Sequence, residues 1–226
     1  MAIGLSTRRR RAVSLEEGAS PGGARCPADG EPLFVWIETY GYGKREDEVV
    51  DRCEACGLAV PRDSVPSPDR AVDELLGRAE WRGERIAVRT ANAASLQAWL
   101  GAENWAALAP GDPDIKPTPR AARLLFAKRG LQVRRIRHLA RGGIATMWQT
   151  LLNLLTFHRD FAPQVISGEL RPGTGRGVAP FWIDAAITLM AAIPTALVAV
   201  LLEAGAVLAR RGGVIEIQAE RLPATE

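Results

Sequence analysis

Residues 181–209 read FWIDAAITLMAAIPTALVAVLLEAGAVLA, and residues 210–222 continue as RRGGVIEIQAERL. Between Asp184 and Glu203 lie 18 residues without a charge. That length reaches the lower limit for crossing a bilayer. Pro194 stands in the middle of the run, where a helix loses a hydrogen bond and kinks. After RRGG the period changes. Ile215, Ile217 and Ala219 alternate with Val214, Glu216, Gln218 and Glu220, a period of two that predicts a strand. A bilayer-grade apolar run therefore leads directly into a strand of soluble type. The fold turns on what that strand pairs with.

The whole chain has 226 residues, 47% of them hydrophobic and 24% charged, an ordinary globular composition with room for one or two domains. A net charge of +3 makes no electrostatic case for nucleic acid as a partner. Residues 1–24 combine Arg8 to Arg11 with SLEEGASPGG and predict a disordered basic tail, either merely solvated or an electrostatic foot on an anionic surface. No apolar segment follows the arginines as a secretory signal requires. The expected compartment is reducing and cytoplasmic.

Residues 25–60 carry the sharpest local pattern. CPADG opens it at Cys26, CEACG closes it at Cys53, and PLFVWIETY and EDEVVDRC lie between. The order is knuckle, strand, turn, strand, knuckle. Two such knuckles bring four ligands around one zinc ion. Cys26, Cys53 and Cys56 are three of them, and Asp29 holds the fourth position, three residues after Cys26. The competing expectation is a ribbon that has lost its metal and survives as a hairpin. GYGKRED at 41–47 has a GxG, but a second strand follows it and not a helix, so it reads as the hairpin turn. Trp36, Tyr40 and Tyr42 read as packing residues beside the hairpin.

PRDSVPSPD makes residues 61–70 a linker, after which 71–221 form the second domain, with an apolar helical insertion at 143–209. A short amphipathic helix begins near Pro68 and Asp69, and Arg85 to Arg89 alternate as a strand. Thr118 with Pro119 predicts a helix start, Gly130 its stop, and LQVRRIRHL at 131–139 a strand. Arg134, Arg135, Arg137 and Arg141 form a basic face, either solvated or directed at lipid headgroups. MWQTLLNLLTF at 147–157 reads as a helix for a membrane surface or, equally, for a core. His138 and His158 are the two histidines, distant in sequence, and suggest no catalytic set; Asp112 and Asp114 read as a turn. GTGRG at 173–177 reads as a flexible loop.

Several of these residues together resemble the C-terminal half of a zinc-ribbon-containing bacterial class I S-adenosylmethionine-dependent methyltransferase. They are Asn92, Ser95, Gly101 and Trp105, then Thr118 and Leu124 to Gly130, then Gln149 and Asn153, and Gly212 with Gly213 before the last strand. The resemblance implies an α/β fold, a partial Rossmann-like sheet in which 131–139 and 214–221 are neighbours. No glycine loop after a strand is present to hold the cofactor, and there is no room for four strands between Cys56 and Ala71. The isolated chain is therefore not expected to bind S-adenosylmethionine. The functional expectation is a non-catalytic, membrane-associated scaffold or partner of a full-length methyltransferase. The alternatives are a methyltransferase subunit completed by another chain and a membrane-anchored zinc-ribbon adaptor.

A half sheet leaves an open edge, which another chain, a second copy or the zinc ribbon itself is expected to cover. If 131–139 and 214–221 pair, the apolar run must leave and return on one side of any bilayer. The expected solution is a peripheral or monotopic protein at the inner membrane face. Its apolar run would be a hairpin or two in-plane helices bent at Pro194, with Phe181, Trp182, Arg210 and Arg211 at the interface and Asp184 and Glu203 among the headgroups. The competing expectation is that the run packs into the soluble core or a dimer interface.

Overall fold

The computed structural model describes residues 23–39, 48–108, 114–172 and 178–221. The tail at 1–22, the turn at 41–47 with Tyr40 and Tyr42, Asp112 and the loop at 173–177 lie outside the described residues.

The ribbon is a three-stranded antiparallel sheet. Strands β1 (Leu33–Thr39) and β2 (Glu48–Cys53) pair as expected, with a bulge between Val35 and Ile37. A third strand, β3 (Ala59–Pro61), adds to β2. Helix α1 (Pro68–Leu76) starts inside the expected linker, because the Ser67 hydroxyl accepts from Arg70 N and proline suits the first turn. Strand β4 (Glu80–Arg82) then turns at Gly83, whose φ of +64° only glycine adopts easily, into β5 (Arg85–Ala91). Helices α2 (Leu96–Gly101) and α3 (Pro119–Ala127) follow, α3 capped by Thr118 as the sequence predicts. Then come strand β6 (Leu131–Leu139), helix α4 (Ala140–Asn153), the short α5 (Phe161–Ile166), the long α6 (Val178–Leu208) and strand β7 (Val214–Arg221).

The second sheet has the order β4-β5-β7-β6, and each hydrogen-bonded pair in it is antiparallel. β7 does neighbour β6, with Leu139 opposite Val214, so the chain returns to the strand it left. The inner face carries Ile86, Val88, Ile215, Ile217 and Ala219, all buried against α1, α3 and the ribbon in one apolar cluster. The outer face carries Arg89 paired with Glu216, and Arg134 with Glu220.

This architecture overturns the methyltransferase reading. A Rossmann-like sheet has parallel neighbours joined by crossover helices on both faces, and its strands are apolar on both sides. Both sheets here are antiparallel and open, and the strands of the larger one alternate between an apolar and a charged face. The resemblance, the half-Rossmann fold class and the descriptors methyltransferase-like and Rossmann-like are therefore wrong. The functions built on them fall as well, because their premise was the fold. The residues that carried the resemblance have local structural jobs. Asn92 donates to Gly212 O at 3.0 Å. Ser95 caps α2. Gly101 lies against Thr150, and Gly213 against Gln97. Such seams recur wherever a helix meets a sheet and do not specify an activity.

Candidate metal centre and apolar helix

The two knuckles are near copies of one another. In Cys26-Pro-Ala-Asp29-Gly30, the Gly30 amide donates to Cys26 O at 2.9 Å, and in Cys53-Glu-Ala-Cys56-Gly57, the Gly57 amide donates to Cys53 O at 2.8 Å. The closing glycines have φ of +81° and +76°, a conformation that side-chain-bearing residues rarely adopt. Asp29 thus occupies the place that Cys56 has in the other knuckle. The turns aim Cys26, Asp29, Cys53 and Cys56 at one point, and their donor atoms all lie within 4.8 Å of one another. Cys26 Sγ is 3.5 Å from Cys56 Sγ, and Cys53 Sγ is 3.4 Å from both carboxylate oxygens of Asp29. Donors around a tetrahedral ion with bonds of about 2.3 Å stand roughly 3.8 Å apart, so the four fit one metal ion. The three thiols are buried and unbridged.

The electrostatics suit a cation. The hydrogen bond with Cys56 holds the Cys26 thiol below its usual range, and the same contact pushes Cys56 far up. Burial pushes Cys53 up. For Asp29, burial is outweighed by hydrogen bonds from Cys56, Cys26 and Cys53, which keep its carboxyl below the ordinary range. One nest thus concentrates negative charge, and further ionisation of its thiols needs a positive ion to offset the repulsion. Outside the donors, Arg52 lies 4.8 Å over the Trp36 ring, and the Thr118 hydroxyl donates to Cys56 O. Thr118 therefore ties the second knuckle to α3. Its capping role was legible in the sequence; its bond to the knuckle was not, because it joins residues 62 apart.

The second feature is α6, the one described helix long and apolar enough to cross a membrane. It is a single helix through Pro194, not two. Side-chain donors surround the proline: the Thr195 hydroxyl reaches Ala191 O at 2.6 Å and the Trp148 indole reaches Ala192 O at 3.0 Å. They supply polar contacts where a proline disturbs the backbone ladder. Its outward face is apolar, with Leu189 at 82% and Leu208 at 87% exposure. Its two charged residues, Asp184 and Glu203, are both 0% exposed. That corrects their expected place among headgroups. Phe181 is also buried, and Trp182 alone of that pair is exposed.

Both carboxylates are tied to the body. Asp184 accepts from the Phe157 and His158 amides at 2.8 Å each, and from His158 Nδ1 at 2.7 Å. The next residues reach the segment before α3: Arg159 donates to Trp105 O at 2.8 Å, and Asn153 to Asn104 O at 3.1 Å. Trp105 in turn meets Trp36 of β1 edge-on. At the other end, Glu203 accepts from Gln97 at 2.6 Å and from the Gly213 amide at 2.8 Å. Gly143 leaves space for this carboxylate; a Cβ there would lie 2.2 Å from Glu203 Oε1. Burial raises the Glu203 pKa above its ordinary value, against these hydrogen bonds. Along α6 the two anchors are about 28 Å apart. His138 sits half-buried on β6 and does not join His158, and Asp114 pairs with Arg78.

No family model, curated protein or solved structure matches this chain.

Proposed function

We propose that the chain is a metal-stapled binding module that docks in the plane of a membrane through the outer face of α6. The observation that carries this reading is the inversion of that helix. Its apolar side chains face out, its two carboxylates face in, and both ends are pinned to the same protein body. A soluble surface helix shows the opposite arrangement. A spanning helix would have to release one anchor, and α4, at about 1.5 Å per residue, is too short for a return crossing of a core of about 30 Å. Lying flat, α6 presents its apolar face to the acyl boundary, with Trp182 at the interface.

The ion in the ribbon is zinc in this reading. Three thiolates with a carboxylate suit a borderline-soft ion that imposes no geometry of its own. Its role is structural: it joins the two knuckles at the base of β1 and β2. Reduced thiols at such a site favour a cytoplasmic position, hence the inner membrane face. The open sheet edges are the place for a protein partner, another chain or a second copy.

The test is flotation of the full chain with phospholipid vesicles, together with cysteine labelling at Ser167 and Gln218 in intact cells. Flotation, with both positions labelled only after the inner face is exposed, supports the reading. Labelling from opposite sides overturns in-plane docking. A dimer that does not float also overturns it, and assigns the α6 face to a second copy.

A further inference from the structure

The two ends of α6 differ in charge, and the difference bears on which lipid the helix meets. At its C-terminal end the chain passes from Leu208 through Arg210 and Arg211 to Gly212 and β7. At the same place β6 passes through Arg141 into α4, where Gly142, at φ +86°, makes the turn. Leu139 stands opposite Val214, so the two passages adjoin. Arg141, Arg210 and Arg211 are all exposed. Among the described residues, none of the three is ion-paired with a carboxylate. On this side Glu216 is engaged by Arg89, and Glu203 by Gln97 and Gly213. At the other end of α6 the described exposed charges of the preceding segment are one of each sign, Glu169 and Arg171.

We propose that Arg141, Arg210 and Arg211 form a cationic collar at the C-terminal end of α6 that selects anionic phospholipid headgroups. The proposal rests on the in-plane docking of α6. Physical chemistry assigns the two features separate tasks. The apolar face supplies binding that depends little on headgroup or salt. The collar supplies an attraction of about 1 kcal/mol per arginine near an anionic surface, screened within a Debye length. Arginine also forms paired hydrogen bonds to phosphate oxygens.

The experiment compares the full chain on vesicles of phosphatidylcholine alone and of phosphatidylcholine mixed with phosphatidylglycerol, at low and high salt. The variants are Arg141→Gln, Arg210→Asn and Arg211→Gln combined, and Leu189→Lys with Ile193→Lys. Asparagine is chosen at position 210 because φ there is +56°, which asparagine tolerates. Thermal unfolding of each variant in solution serves as the folding control. The wild type is expected to favour the anionic vesicles and to lose that preference at high salt. The arginine variant is expected to lose on the order of a hundredfold in partitioning to anionic vesicles, about 1 kcal/mol for each arginine, and to keep its binding to phosphatidylcholine. Equal wild-type binding to both vesicles overturns the collar and leaves the docking of α6 intact. If the lysine variant still binds phosphatidylcholine vesicles as the wild type does, α6 is not the docking face, and the proposal fails with the reading it rests on. An arginine variant that is folded yet unchanged on both vesicles also overturns the collar.

Discussion

The ribbon and α6 each invert the usual distribution of polarity, and they do so in opposite directions. In the ribbon, three thiols and a carboxylate turn inward on one another. In α6, leucines and isoleucines turn outward. A buried charge cluster is tolerable when an ion completes it. An exposed apolar face is tolerable when something apolar covers it. The ribbon's deficit is concentrated among donor atoms within 4.8 Å of one another, so one ion meets it. That of α6 extends over most of a 31-residue helix, so a surface must meet it. The comparison separates a local requirement from a delocalised one, and variants should respond accordingly.

The largest effect is expected at the ribbon. Cys53→Ser removes a ligand and the Sγ that accepts from the Cys56 amide. Structural zinc contributes on the order of 10 kcal/mol to small domains near pH 7. The variant should lose its metal by elemental analysis, and β1 and β2 should lose protection from hydrogen exchange. Acid should release metal from the wild type, because the thiolates must take up protons as it leaves.

Next in size is Glu203→Ala, which strands the Gln97 amide and the Gly213 N–H. Leaving such groups buried without a partner costs about 2–4 kcal/mol, read as a fall in unfolding midpoint. Glu203→Gln sharpens this. Burial raises the folded pKa of Glu203 above its ordinary value of 4.5, so the native state binds the proton more tightly. The resulting stability is fully present below the ordinary value and is lost as pH rises through the raised one. The pH profile of Glu203→Gln should be flatter over that window, and an unchanged slope would dissociate Glu203 from it.

A smaller effect distinguishes the two regions most cleanly. Leu189→Lys lies on the outward face and touches little, so its unfolding free energy in solution should change by less than about 0.5 kcal/mol. Its vesicle partitioning should still fall severalfold. If stability falls and partitioning does not, the face packs on protein. The smallest expected change is in Asp29→Cys. Completing the second CxxC should raise metal affinity, measured by competition with a chromophoric chelator, with almost no change in fold.

Much of the ribbon was legible because its signal is local: residue types at fixed spacing, closed by glycines that need positive φ. Thr118 as a cap and 131–139 as a strand were legible for the same reason. Strand β3 was missed because Ala59–Pro61 is too short to show a period. The larger departure is in fold class, and the strands themselves speak against a Rossmann-like sheet. Ile86 and Val88 lie between Arg85 and Arg89, and Ile217 and Ala219 alternate with Glu216, Gln218 and Glu220; a sheet covered on both faces does not tolerate such charges. Resemblance in the loops outweighed period in the strands. The inward turn of Asp184 and Glu203 was not legible, since His158 lies 26 residues from the first and Gln97 lies 106 from the second. In one dimension a carboxylate at the end of an apolar run reads as a boundary marker; here it is an anchor.

The position of β7 has a consequence for synthesis. It is the last strand described, yet it lies between β5 and β6. Until Val214–Arg221 emerges from the ribosome, β5 and β6 have no strand between them, and the inner face of the larger sheet cannot close. The whole of α6 has been made by then, with its apolar face already formed. Long-range pairing between strands far apart in sequence is slow and leaves sticky surface exposed. Under the proposed docking, translation order puts the apolar face of α6 before the membrane while the sheet is still open, and loss of Val214–Arg221 is a failure of assembly and not a trimming of an edge.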